Sequence, residues 1–169
     1  MNYFELYNLP VSLLPDTQQV KQKFYELSRK YHPDFYSQAS ENEQAEALEM
    51  SSLVNKAFKA FNNKDETIKY VLQQKELLQE EEKYQLSPDF LMEMMDLNEA
   101  LMDAKMEGDQ DKLTALQSQI TNLKSEIYEP VKQIVEHYKE GVTTEKELLQ
   151  VKEYYYQKKY LDRILVGIK

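Results

Sequence analysis

The chain has 169 residues, no cysteine, two histidines, 30% charged residues and a formal net charge of −9. These numbers exclude disulfides, thiolate chemistry, cysteine-based metal or iron–sulfur ligation by this chain and a multi-histidine metal site, and they argue against wholesale nucleic-acid binding, which needs Lys and Arg to neutralise phosphates. No run approaches the roughly 20 apolar residues of a membrane span, and Met1-Asn2-Tyr3-Phe4-Glu5 lacks the basic-then-apolar pattern of a secretion signal, so the expectation is a cytoplasmic protein without membrane, nucleic-acid, metal or cofactor partners.

Few Gly, Pro, Val, Ile and Thr, with much Leu, Glu, Gln, Lys, Met and Tyr, favour helices. Tyr3, Phe4, Leu6, Tyr7 and Leu9 make an apolar N-terminal segment, read as a short helix. Asp16 caps a helix over 17–31 whose seam is Val20, Phe24, Leu27 and Tyr31. Ser40-Glu41-Asn42-Glu43 is a capping box, in which hydroxyl and carboxylate satisfy opposite orphan amides. It opens a helix with the stripe Ala47, Met50, Val54, Ala57 and Phe61. Ile68, Val71 and Leu72 mark a further short helix. The charged stretch Gln79-Glu80-Glu81-Glu82-Lys83 is open between a solvated helix and a linker.

Beyond it, Ser87-Pro88-Asp89 caps a helix over about 88–107, with a proline and an acid in its first turn. Gly108 stops that helix. The next runs over about 109–139 with Leu113, Leu116, Ile120, Leu123, Ile127, Ile134 and Tyr138 on one seam. Pro130 lacks an N–H and crowds the preceding turn, so a kink is expected there, with the seam in phase across it. Gly141 precedes the Thr144-Glu145-Lys146-Glu147 capping box and a last helix over 144–167. Short loops at 108 and 140–143 imply antiparallel neighbours and a three-helix bundle. The halves differ in charge: residues 1–75 carry 9 Lys/Arg against 10 Asp/Glu, and residues 76–169 carry 12 against 20. That asymmetry points to distinct partners.

His32-Pro33-Asp34 opens the connection between the two longer N-terminal helices. Pro33 cannot continue the first helix, and it biases His32 to extended backbone. The tripeptide alone is open between a helix stop, an acid–base or metal pair without further ligands, and a docking loop. Its flanks decide more. Lys21, Lys23, Arg29 and Lys30 precede it, and Glu41, Glu43, Glu46 and Glu49 follow it. With the aromatic first segment and the short fourth helix, residues 3–72 resemble the J-domain of DnaJ-like proteins. The resemblance implies that His32, Pro33 and Asp34 contact a DnaK-type chaperone and stimulate its ATP hydrolysis. It makes Lys21, Lys23, Arg29 and Lys30 the docking face. The chain has no G-x-x-x-x-G-K-[ST] phosphate loop of its own, so the ATP chemistry would belong to the partner.

In the helix over 88–107, Phe90, Met94, Leu97, Leu101 and Ala104 suffice for one core seam. Leu91, Met92, Met95, Met102 and Met106 form a second apolar set beside Asp96, Glu99 and Asp103. Two readings stand: a helix buried on two sides, or an adaptable partner surface. Phe90-Leu91-Met92-Glu93 behind a J-domain, the N-terminal Tyr3-Phe4 with Leu9-Pro10, and Tyr160-Leu161-Asp162-Arg163 together resemble the HscB family of iron–sulfur co-chaperones. That resemblance spans nearly the whole chain. It implies an HscA-type ATPase partner and binding of the iron–sulfur scaffold IscU through Leu91, Met92, Met95, Asp96, Glu99, Asp103 and Tyr160. Tyr154, Tyr155, Tyr156 and Tyr160 are expected mostly in the core, although Tyr156 and Tyr160, four apart, share a face that can turn outward. Asn62-Asn63-Lys64-Asp65-Glu66-Thr67 departs from the Pro and Arg that the family often carries in its fourth J-domain helix. The cysteine-rich zinc segment of some eukaryotic relatives is absent.

The expected architecture is therefore all-α: a J-domain over 1–75, built as an antiparallel helical hairpin with short flanking helices, a connection over 76–86, and a three-helix bundle over 87–169. The expected function is a non-enzymatic co-chaperone that stimulates its ATPase partner and delivers IscU. A J-domain adaptor for another client is the nearest alternative, and a purely structural helical protein is the more distant one. His137 is expected on the surface late in its helix.

Overall fold

Most helices of the computed structural model, which describes residues 1–168, begin at a side chain that accepts from their orphan amides. Helix α1 (Tyr3–Tyr7) starts at Asn2, whose side chain accepts from Glu5 N at 2.8 Å, and α2 (Thr17–Lys30) starts at Asp16, which accepts from Gln18 N and Gln19 N at 2.9 and 3.1 Å. A 3₁₀ turn (Pro33–Tyr36) follows, then α3 (Glu41–Phe61) behind Ser40 and α4 (Lys64–Gln74) behind Asn63. The remaining elements are α5 (Pro88–Glu107), α6 (Gln110–Tyr128), a 3₁₀ turn (Glu129–Val131), α7 (Lys132–Glu136) and α8 (Glu145–Ile168). Gly108 closes α5 at φ 64°, in the left-handed region that a side chain strains to occupy. Among the described residues the regular elements are all helices, with no strand.

Two compact units result. One holds residues 1–75 with 136–143, and the other holds 76–135 with 144–169, so the connection between α7 and α8 packs with the N-terminal unit. In that unit α2 and α3 form the hairpin and α1 and α4 flank it. Its core is Phe4, Tyr7, Leu13, Val20, Ala47, Val54, Ala57, Phe61, Ile68, Val71 and Leu72. Tyr7 donates its hydroxyl to Val54 O at 2.7 Å, which pairs a polar group that burial would otherwise penalise. Tyr3 stacks on Tyr70 with ring centroids 4.2 Å apart, and Tyr70 Oη accepts from Tyr3 N at 2.8 Å. The fourth helix is longer than its three apolar residues suggested, because Asn63 caps it one turn earlier, accepting from Glu66 N at 3.0 Å. Near the end of this unit Glu140 accepts from the Lys75 ammonium and from the Tyr138 hydroxyl.

The second unit is a bundle of α5, α6 and α8 around Leu86, Phe90, Met94, Leu97, Leu101, Ile120, Leu161 and Ile164. Pro130 does not break the middle helix; the chain tightens into the 3₁₀ turn and resumes as α7. Beyond the turn Val131 and Val135 are buried and Ile134 is half-buried, as are Leu113, Leu116, Leu123 and Ile127 before it. Tyr138 lies beyond the helix, which ends at Glu136. The charged stretch before the bundle is not helical. Instead Glu82 accepts from Tyr156 Oη at 2.9 Å and from Lys152 Nζ at 3.1 Å, and Tyr84 stacks on Tyr156 at 4.4 Å and donates to Glu153. With Leu78 and Leu86 buried, residues 78–86 are strapped to α8.

Candidate functional site

The loop after α2 is held at its ends and free at its apex. Tyr36 donates its hydroxyl to Lys30 O at 3.1 Å, tying the far side of the 3₁₀ turn to the end of α2. Gln44, from the second turn of α3, donates its amide to Tyr36 O at 3.0 Å and Ala39 O at 3.2 Å. Between these anchors His32 is extended (φ −65°, ψ 130°) and Pro33 starts the turn, as the missing N–H and fixed φ of proline dictate. His32 Nδ1 accepts from Asp34 N at 3.2 Å, which in a neutral imidazole places the proton on Nε2. Asp34 Oδ2 lies 3.6 Å from the same Nδ1. The side chains of His32, Pro33 and Asp34 are all exposed.

The predicted basic face divides. At about 100° per residue Lys21, Tyr25 and Arg29 line up along one exposed strip of α2. Lys30 and Lys23 lie on the other flank of the exposed surface; Lys23 is 3.9 Å from Glu26, and Lys30 Nζ sits 5.2 Å from the Tyr31 ring centroid. Lys21, Arg29 and Lys30 are exposed and Lys23 is half-buried.

On the bundle, α5 turns Phe90, Met94, Leu97, Leu101 and Ala104 inward, as expected. The second apolar set is not a second buried face: Met92, Met95, Met102 and Met106 are exposed beside the exposed acids Asp96, Glu99 and Asp103. Leu91 and Tyr160 are half-buried at the edge of the core, where Tyr160 meets Phe90 edge-on at 6.3 Å and lies beneath the Arg163 guanidinium at 5.6 Å. All seven predicted residues thus belong to one unit. Six share the outer half of α5, and Tyr160 comes from α8. Tyr154 and Tyr155 are buried, but Tyr156 is committed to Tyr84 and Glu82 rather than turned outward with Tyr160.

Among the described residues no group of three or more His, Asp or Glu is placed to hold a metal ion, and no helix is long and apolar enough to cross a membrane.

A family model described as the HscB C-terminal oligomerisation domain matches residues 86–169. A co-chaperone protein HscB homolog from Vibrio vulnificus is 32% identical over 116 residues, covering 68% of each chain. The chain belongs to the HscB co-chaperone family. Another HscB homolog, from Colwellia psychrerythraea, is 37% identical over 113 residues, which are 66% of this chain and 64% of that relative, so the matched chain spans just under two thirds of its length. The crystal structure of human co-chaperone protein HscB superposes with a TM-score of 0.80 at 25% identity, covering 99% of this chain and 80% of that one. The architecture is that of HscB proteins: an N-terminal J-domain followed by a C-terminal three-helix bundle.

Two exposed aromatics in this HscB-family chain were not singled out from sequence. Phe35 directly follows the His32-Pro33-Asp34 tripeptide and meets the His32 ring edge-on at 6.2 Å. Tyr25 stands between Lys21 and Arg29 on α2. The signal for Tyr25 was present: it falls out of phase with Val20, Phe24, Leu27 and Tyr31, and an aromatic off the seam is an exposed one.

Proposed function

We propose that the protein is a J-type co-chaperone of iron–sulfur cluster assembly, acting in the cytoplasm without catalytic chemistry of its own. His32, Pro33 and Asp34 stimulate the ATPase of a DnaK- or HscA-type chaperone, and the α5–α8 face delivers the scaffold protein IscU to it. The observation that carries this reading is the anchored loop: its backbone is tied down at Tyr36, Ala39 and Lys30 while all three side chains face solvent. A loop built only to end a helix needs no such bracing of an exposed apex. Lys21 and Arg29 extend the loop surface along α2 with Tyr25 between them, and Phe35 adds an apolar contact at the apex. Lys23 and Lys30 contribute charge from the flank. A partner is switched only if this surface binds its two states unequally, so the loop acts as a wedge on an existing equilibrium.

For cargo, the α5–α8 face offers apolar anchors at Leu91 and Tyr160, adaptable thioethers at Met92 and Met95, and carboxylates at Asp96, Glu99 and Asp103. That chemistry fits a folded partner with an apolar patch rimmed by Lys or Arg. A J-domain adaptor for a client other than IscU uses the same loop and differs only in what this face binds. The test of the loop is His32→Gln. It removes the Nδ1/Nε2 pair while the hydrogen bonds from Tyr36 and Gln44 remain. Stimulation of the chaperone's steady-state ATPase should disappear with an unchanged far-ultraviolet circular dichroism spectrum. Full stimulation by that variant would defeat the assignment.

A further inference from the structure

Of the chain's seven methionines, five fall between residues 92 and 106. Met92, Met95, Met102 and Met106 are 65%, 67%, 63% and 85% exposed, whereas Met94 of the same helix is 0% exposed in the bundle core. At about 100° and 1.5 Å per residue the four exposed thioethers, with Asp96, Glu99 and Asp103, occupy an arc of about 120° and run about 21 Å along α5. Single exposed apolar residues are common, but four long thioethers on one strip are a collective feature. Methionine is a common target of oxidation, and the chain has no cysteine to take up oxidant first.

We infer that this strip is a reversible oxidation site, at which hydroperoxides convert Met92, Met95, Met102 and Met106 to sulfoxides and so release the cargo. The release rests on the cargo reading given above; the modification itself does not. The reaction with hydrogen peroxide balances without any other reagent. The thioether sulfur gives up two electrons, the O–O bond breaks, one oxygen bonds to sulfur and the other leaves as water. A methionine sulfoxide reductase reverses it, with two thiols supplying two electrons and two protons, the oxygen leaving as water and a disulfide remaining on the reductant.

The consequence for binding follows from the neighbours. A sulfoxide turns an adaptable apolar contact into a strong hydrogen-bond acceptor. Asp96, Glu99 and Asp103 beside it are acceptors too when ionised, so none of these three can pair it once a partner covers the surface. Burying that oxygen unpaired should weaken binding about tenfold or more. The chaperone loop at 32–34 contains no methionine and has no such sensitivity.

The experiment treats the full chain with hydrogen peroxide, maps oxidised peptides by mass spectrometry, and titrates purified IscU by calorimetry before treatment, after it, and after repair with methionine sulfoxide reductases A and B and dithiothreitol. The expected map shows Met92, Met95, Met102 and Met106 oxidised well before Met94, with the circular dichroism spectrum intact. Affinity should fall at least about tenfold and return on repair, while stimulation of the chaperone ATPase without IscU stays constant. A variant carrying Met92→Leu, Met95→Leu, Met102→Leu and Met106→Leu, compared only with itself, should show no change on treatment. Oxidation of Met94 in step with the others overturns the site. Unchanged affinity after oxidation of the four, or an equal loss in the leucine variant, overturns the release. If the untreated chain binds no IscU, the cargo reading fails and the release with it, while the oxidation map still decides the site.

Discussion

The loop after α2 and the outer strip of α5 are both exposed and both charged, yet they are built on opposite principles. The loop is three side chains on a backbone braced by Tyr36 and Gln44, so its geometry is set before any partner arrives. The α5 strip has no comparable bracing. Its apolar content is carried by methionines, with three rotatable bonds each, and only Leu91 and Tyr160 are wedged against the core. A fixed loop suits a switch, where a small error in placement removes the effect. An adaptable strip suits cargo, where a few ordered anchors carry most of the affinity and repacking contacts fill in around them.

The comparison breaks most sharply at the anchors. Leu91→Ala with Tyr160→Ala should cost scaffold affinity about 2 kcal/mol or more, about thirtyfold, because these two residues are already ordered and lose little entropy on binding. Calorimetry with IscU reads the loss. Met92→Ala alone should cost clearly less. An equal loss from Met92 would mean that the strip is not organised around its two anchors.

Salt separates the two surfaces with a smaller effect. Lys21 and Arg29 are exposed, and pairing with such charges is screened as the Debye length falls from about 10 Å at 0.1 M to about 3 Å at 1 M. Half-maximal stimulation of the chaperone ATPase should therefore need more of the protein as salt rises. Scaffold binding, carried more by apolar burial, should lose less over the same range. Comparable salt dependence for both would show that Asp96, Glu99 and Asp103, rather than the anchors and methionines, dominate the cargo face.

What was legible in the sequence was local. Asp16, Ser40, Ser87 and Thr144 each sit where a cap must sit, and each accepts the amide expected of it. The tripeptide His32-Pro33-Asp34 was legible because proline fixes its own backbone. Long-range facts were not. Glu82 finds Tyr156 and Lys152 more than 65 residues away, and nothing in a run of charged residues announces that partner. The choice between core and an outward face for Tyr156 was therefore open. Nor was the end of the middle helix legible: beyond the 3₁₀ turn at Pro130 it runs only to Glu136, so Tyr138 lies outside it. Whether the second apolar set of α5 is covered is likewise a tertiary fact, on which periodicity is silent.

The smallest expected effect concerns the strap that Glu82 makes to α8. Burial alone would push the Glu82 carboxyl up, but the hydrogen bonds from Tyr156 and Lys152 outweigh it and hold the group below its ordinary value of 4.5. A carboxylate with a lowered value in the folded state stabilises the fold at pH values above 4.5, and that contribution is lost as pH falls through the lowered value. Glu82→Gln keeps the shape and removes the charge. It should destabilise the chain by about 1 kcal/mol at neutral pH, read by urea denaturation, with the difference from wild type closing as pH falls below 4.5. Tyr156 lies one helical turn before Tyr160 on α8, so the variant also asks whether the anchor depends on the strap. A measurable fall in scaffold affinity at neutral pH, absent in acid where wild type has lost the same charge, would make Glu82 a positioning residue for Tyr160. Unchanged affinity would confine it to stability, leaving the core contact with Phe90 as what fixes the anchor.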